Sequence, residues 1–371
     1  MCVSRFVVTA TLLVVIFTVP SLVLSSNDDL KAVVAVFRHG DRAPLKPYTL
    51  DPYDETYWPL GLGQLTNLGK KQAYSLGQWL RARYADYLPS TYNRADIKVQ
   101  SSNVDRCLMT AESVLAGLYP PEGAQVWNKD LKWQPIPVHT LPEEDDPVVA
   151  QGKPCPKYSK LYAQLLETEP FSLFLDKYQD RMQYYSEQSG DNVTTLQDLK
   201  QLYNIVHIEN VHNFTLPEWA STLFNEDMDQ VIGMLWSSYA YYKELAKLRA
   251  GPLIDYIFNH FHNVLNGGDQ AFALLSGHDT TVATLMTAMG VFDYEWPEYA
   301  STVLLELRKT ENSTFVNVLH KNSTDLVEVL VPQCNFNCEL EELEELLAPV
   351  RAAEKEWEAL CDETVDDLNV V

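Results

Sequence analysis

The stretch VVAVFRHGDRAP, residues 33–44, decides the fold. Five apolar residues in a row, Val33 to Phe37, read as a short strand buried on both faces, as in a parallel sheet flanked by helices. The strand runs straight into Arg38, His39, Asp41 and Arg42. Ligands bind at the carboxyl ends of strands in such sheets, so this cluster of charge marks a candidate site.

The same pattern recurs twice. Ile97 to Ser101 alternates like a strand and is followed by Val104-Asp105-Arg106 and an amphipathic helix with Leu108, Ala111, Leu115 and Leu118. Ala271 to Leu275 is a second short apolar run, ending in SGHDTT and a helix expected from about Thr281 to Met289. Strand, polar turn and helix in repeated succession predict an α/β protein with a mainly parallel sheet flanked by helices. Thr302 to Leu307 and Thr314 to Leu319 predict two late strands joined by a turn. Between about Leu141 and Lys247 the β-branched runs disappear, which predicts an inserted, mostly helical cap. The expected organisation is a signal peptide at 1–25, a first core segment at 26–140, the cap at 141–247, and the rest of the core with the C-terminal tail at 248–371. Pro44 to Gly63 reads as a long loop, and Thr66 as the cap of the helix carrying Ala73, Leu76, Leu80 and Tyr84. The GLG at 61–63 is no dinucleotide fingerprint, because Thr66 stands at the third glycine position and no strand leads in.

A chain of 371 residues, 46% hydrophobic and 21% charged, has the composition of an ordinary globular protein. Its 28 Lys+Arg against 51 Asp+Glu leave a net charge of -23, which argues against nucleic acid or an anionic membrane as partner. Arg5, the apolar run Phe6 to Leu24 and the small residues after it predict a cleaved signal peptide, with no later apolar run of spanning length and hence no stable membrane anchor. The expected location is the secretory route, ending in a lysosomal lumen or outside the cell. Sequons at Asn192, Asn213, Asn312 and Asn322 fit that compartment. So do the five cysteines left after Cys2 departs with the signal: at most two bridges and one free thiol. Cys334 and Cys338 can close a small loop, Cys155 can then reach Cys361, and Cys107 is the expected buried thiol. No second C-x-x-C pair with nearby histidines supports a metal site.

The three polar turns can converge at one sheet edge, supplying Arg38, His39 and Arg42, then Arg106, then His278 and Asp279. Arginine offers planar, bidentate donors that match phosphate oxygens. A neutral imidazole among them can attack phosphorus and form a covalent intermediate, and the surrounding charge disfavours the imidazolium. Asp279 is the natural proton donor to the leaving alcohol. Asp41 reads as an orienting residue. His260 and His262 fall on different helix faces, while His139, His207, His212 and His320 belong to no cluster.

At these residues the chain resembles the histidine acid phosphatases, most closely those of the prostatic and lysosomal type. RHGDRAP, VDR and SGHDTT carry the resemblance, and GQLTNLGKKQAYSLGQWLRARY, LKWQPIPVHT and LRAGPLIDYIF extend it over nearly the whole mature chain. The resemblance implies a phosphate monoester, small or on a protein, as substrate, and a metal-free reaction without cofactor. It implies His39 as nucleophile, Arg38, Arg42, Arg106 and His278 as phosphate ligands, Asp279 as acid, and a homodimer. One departure is that vertebrate members carry a third disulfide, for which this chain has no cysteines. A phosphomutase of the same fold and a catalytically silent secreted glycoprotein are the competing readings.

Overall fold

The chain's architecture follows from how its buried strands are flanked. The computed structural model describes residues 29–363, so the expected signal segment at 1–25 lies outside the described residues. In chain order the elements are β1 (Leu30–Arg38), α1 (Asn67–Arg83), β2 (Ile97–Ser102), α2 (Asp105–Leu118) and β3 (His139–Leu141). Five helices follow: α3 (Pro156–Leu166), α4 (Phe171–Ser189), α5 (Leu196–Val211), α6 (Glu226–Ser237) and α7 (Lys243–Leu265). The remainder comprises β4 (Phe272–Gly277), α8 (Asp279–Ala288), β5 (Thr302–Lys309), β6 (Thr314–Lys321), β7 (Leu326–Glu328), β8 (Cys338–Glu339), α9 (Leu340–Leu347) and α10 (Glu354–Cys361).

The strands form one mixed sheet in the order β3-β2-β4-β1-β5-β6-β7, with β8 beside β6. β1 runs parallel to β4, as β2 does to β4 and β3 to β2, whereas β5 and β6 are antiparallel additions next to β1. β1 is therefore interior, which is why its sequence is an uninterrupted apolar run. Its side chains alternate between two cores. Val33, Ala35 and Phe37 pack with Leu76 and Leu80 of α1 and Val114 and Leu118 of α2. Ala32, Val34 and Val36 face Leu253, Ile257 and Phe261 of α7 and Leu285 of α8.

The helices between β3 and β4 enclose a third apolar cluster, with Leu161, Phe171, Tyr178, Leu199, Trp219 and Val231 among its buried members. Thr195 and Asp198 start α5 with a reciprocal capping box. Two disulfides join Cys155, before α3, to Cys361, at the end of α10, and Cys334 to Cys338. Cys107 is free and buried. No helix among the described residues is long and apolar enough to cross a membrane.

Candidate active site

β1 and β4 end together. Arg38 is level with Gly277, and the His39 amide donates to the Gly277 carbonyl at 3.0 Å. Because β2 flanks β4 in the same direction, its end brings Ser102 and then Arg106 to the same edge. Helices α2 and α8 begin there, so two positive helix ends face the site.

The loop after β1 is fixed by close packing. A Cβ on Gly40 would meet the Gly69 carbonyl oxygen at 2.4 Å, and one on Gly69 the Asp41 oxygen at 2.1 Å. The loop thus lies directly on the start of α1, which Thr66 caps through its hydroxyl. The Gly40 amide donates to Thr110 Oγ1 of α2 at 3.1 Å, and the Asp41 amide to Gln72 Oε1 at 2.8 Å.

His39 is 1% exposed, and its Nδ1 lies 2.7 Å from the Gly40 carbonyl. A carbonyl only accepts, so Nδ1 carries the hydrogen and Nε2 keeps its lone pair. Burial first, then the charges of Arg106, Arg38, His278 and Arg42, push its pKa well below the ordinary histidine value. His39 therefore stays neutral in acid.

Arg38 is sandwiched. Its guanidinium lies 3.9 Å from the Tyr299 ring centroid and 5.5 Å from that of Trp296, pairs with Asp279 Oδ2 at 3.1 Å, and donates to the Pro297 carbonyl. Nε of Arg38, Arg42 and Arg106 are all buried without a protein acceptor. Three guanidiniums with unspent donors around one neutral imidazole make an anion site. His278 accepts at Nδ1 from Arg106 Nη2, 3.3 Å away, which leaves Nε2–H to donate to Ser102 Oγ at 2.9 Å. Burial and the neighbouring arginines lower its pKa to about 4, against the opposing pull of Asp279. At Asp279 burial raises the pKa, but Arg38, Arg42, His278 and Lys200 together outweigh it, and the carboxyl sits below its usual range.

The structure thus brings His39, Arg38, Arg42, Arg106, His278 and Asp279 to one edge of the sheet. The model for "Histidine phosphatase superfamily (branch 2)" matches residues 29–321. The chain belongs to this superfamily. It is 37% identical over 341 residues to prostatic acid phosphatase of Bos taurus, covering 90% of this chain and 88% of that one. It is 36% identical over 365 residues to lysosomal acid phosphatase of Xenopus laevis, covering 96% and 83%. Among solved structures, the apo phytase of Hafnia alvei superposes with a TM-score of 0.68 at 16% identity, over 91% of this chain and 98% of that one, which shows the shared fold.

In this histidine phosphatase several site residues escape sequence reasoning. Asp41 is fully buried, and its Oδ2 accepts from His212 Nε2 at 2.7 Å and from Thr66 Oγ1. It orients the loop, as its position suggests, but its partner His212, expected to belong to no cluster, comes from the end of α5. His207 also reaches the site region: its ring centroid is 4.8 Å from that of Trp296, and burial followed by the Arg38 charge lowers its pKa to about 4. Cys107 lies beside His278, with Sγ 3.3 Å from the Gly277 oxygen, and burial pushes the thiol up to about 12, so it is no nucleophile. Of the other histidines, His262 bonds Glu344 at 2.8 Å and His260 Nε2 lies 3.4 Å from the Ala271 carbonyl. Of the four sequon asparagines, Asn192, Asn213 and Asn312 are exposed. Asn322 is partly buried and accepts from the Thr324 and Asp325 amides.

Proposed function

We propose that this protein is an acid phosphatase that cleaves phosphate monoesters through a phosphohistidine on His39. The observation that carries this is the Nδ1 contact to the Gly40 carbonyl, which leaves Nε2 as a free nucleophile among Arg38, Arg42 and Arg106. Nε2 attacks phosphorus, the P–O bond to the alcohol breaks, and Asp279 hands its proton to the departing oxygen. The guanidiniums stabilise the equatorial oxygens throughout, and His278, expected from the resemblance to be a phosphate ligand, has its ring nitrogens engaged by Ser102 and Arg106 and so serves to hold Arg106 in place. Water then attacks the phosphohistidine, Asp279 takes a proton from it, and inorganic phosphate leaves with His39 neutral again.

The depressed pKa of Asp279 bears on where its proton comes from. Its carboxyl is held ionised chiefly by Arg38 and Arg42, whose charge the bound phosphate offsets. A substrate monoanion brings one proton with it, and low pH supplies that monoanion. Acid operation follows from the donor.

The phosphomutase alternative is not favoured, since the relatives are named acid phosphatases. A silent binder would be expected to lack part of the constellation, and all six residues are present. The reading extends to a lumenal or secreted glycoprotein with a cleaved signal, the helical segment 141–247 acting as a cap over the sheet edge, and a homodimer as the assembled form. Rapid quenching with labelled phosphoester tests the mechanism. Acid-labile, alkali-stable label is expected on the wild type and none on His39→Ala; label that persists in the variant overturns the assignment.

A further inference from the structure

Helix α5 turns Lys200, Tyr203 and His207 toward the indoles of Trp236 and Trp296, the second of which lies over Arg38. They stand at positions i, i+3 and i+7, on one helical face. Tyr203 and His207 pack on Trp296, with ring centroids 5.8 and 4.8 Å away. Trp296 in turn covers Arg38 at 5.5 Å and neighbours Trp236 at 5.9 Å. Lys200 completes the row: its Nζ lies 3.9 Å from the Trp236 centroid and 4.6 Å from that of Tyr239, and donates to Tyr239 Oη at 2.8 Å.

The cation there has Asp279 as an electrostatic neighbour but no carboxylate at ion-pair distance. Lys153, Lys157, Lys177 and Lys247 all pair with carboxylates, whereas Lys200 has no ion pair among the described residues. What sets it apart is that it is lodged between the Trp236 and Tyr239 rings, with its hydrogen bond going to a phenol and not to an acid. Aromatic faces fix its position and recover part of the lost hydration. One of its three hydrogens is used on Tyr239, and two remain. Burial lowers its pKa to about 8, against smaller opposing pulls from Tyr162 and Asp279, so it is a cation throughout the acid range.

We propose that Lys200 is a second anion subsite, binding a negative charge carried by the alcohol part of the substrate, a carboxylate or a further phosphate. The enzyme then prefers phosphate monoesters whose leaving group is itself anionic. This rests on the phosphatase reading above, with Arg38, Arg42 and Arg106 holding the phosphate that is transferred and Lys200 reading what is attached to it.

The test uses the full enzyme and two matched esters, 3-carboxyphenyl phosphate and its uncharged analogue 3-carbamoylphenyl phosphate. The readout is the ratio of their kcat/KM values. A charge-assisted contact predicts a ratio of about 10 in the wild type, collapsing toward one in Lys200→Met and Lys200→Gln and surviving in Lys200→Arg. A wild-type ratio near one, or an unchanged ratio in the uncharged variants, overturns the proposal. So does a Lys200→Met enzyme that loses inhibition by inorganic phosphate in step with the carboxylate preference, because Lys200 would then be holding the transferred group. The wild-type ratio stands as a test even where a variant fails to fold. If the wild type hydrolyses neither ester, the phosphatase reading itself falls, and this proposal with it.

Discussion

Glu209 is a carboxyl buried with no donor. It sits on α5 at 0% exposure, and neither of its oxygens meets a hydrogen-bond donor. It meets instead the side chain of Asp51, from the loop that follows β1. Asp51 has its own Oδ2 buried, while Oδ1 accepts from the Tyr53 amide at 2.8 Å. Two carboxylates cannot satisfy one another, so a proton must lie between them. Burial is the main cause, and the Asp51 charge adds to it: Glu209 is pushed up to about 9, and Asp51 also rises. The charged and titratable groups around the pair, Tyr48, Tyr53 and Asp191, add no cation. In the unfolded chain both acids are ionised above about pH 5. The folded protein therefore holds one more proton than the unfolded one from there up to about pH 9, and stability falls as pH rises through that window. One proton corresponds to about 1.4 kcal/mol per pH unit, or about 3 kcal/mol between pH 5 and 7. Glu209→Gln removes the requirement, because its amide can donate to Asp51 at any pH. Urea unfolding of both proteins from pH 5 to 7 should show the variant gaining about 3 kcal/mol on the wild type across the range. Curves that stay parallel would refute the shared proton.

Two further changes are informative. Asp279→Asn should slow alkyl phosphates by about 100-fold or more while sparing nitrophenyl phosphate, whose leaving group needs no proton; a plot of log rate against leaving-group pKa no steeper than the wild-type line would remove Asp279 as the acid. Glu306, on β5, is a buried carboxylate that accepts from Arg83, Arg308 and Tyr84 Oη. Burial raises its pKa, but Arg83 and Arg308 prevail and hold it below the usual value. Glu306→Ala should cost about 3 kcal/mol or more at pH 6 by urea unfolding. That deficit should shrink as pH falls below about 4, because the carboxyl of the unfolded chain takes up a proton there before the folded one does.

Legibility in the sequence follows distance along the chain. The nucleophile, the arginines and the acid can be read from the sequence because each sits at the end of an apolar strand or within four residues of it, and the strand end is what delivers it to the site. The late hairpin of β5 and β6 is legible for the same local reason. The misplaced start of α8 shows where this stops working. SGHDTT reads as a polar turn, yet the helix begins at Asp279, because Thr281 Oγ1 accepts the His278 amide and closes the first turn around the very residues that line the site. Three features have no local signal at all: His212 against Asp41, Glu209 against Asp51, and Lys200 on Trp236, whose neighbour Trp296 covers Arg38. All three are contributions of α5, which the sequence places only somewhere within a mostly helical cap. Each is a single polar residue on that helix, and its partner lies in a distant loop, helix or turn. The division has a chemical sense. Attack, phosphate binding and proton transfer need groups fixed to the sheet edge, so they travel with strands. The charge that reads the leaving group and the proton that fastens the rim loop come from a separate helical layer, and α5 can change them without touching the sheet. Two relatives with the same RHGDR loop should therefore differ in substrate preference and pH response chiefly at the positions of Lys200, His207 and Glu209.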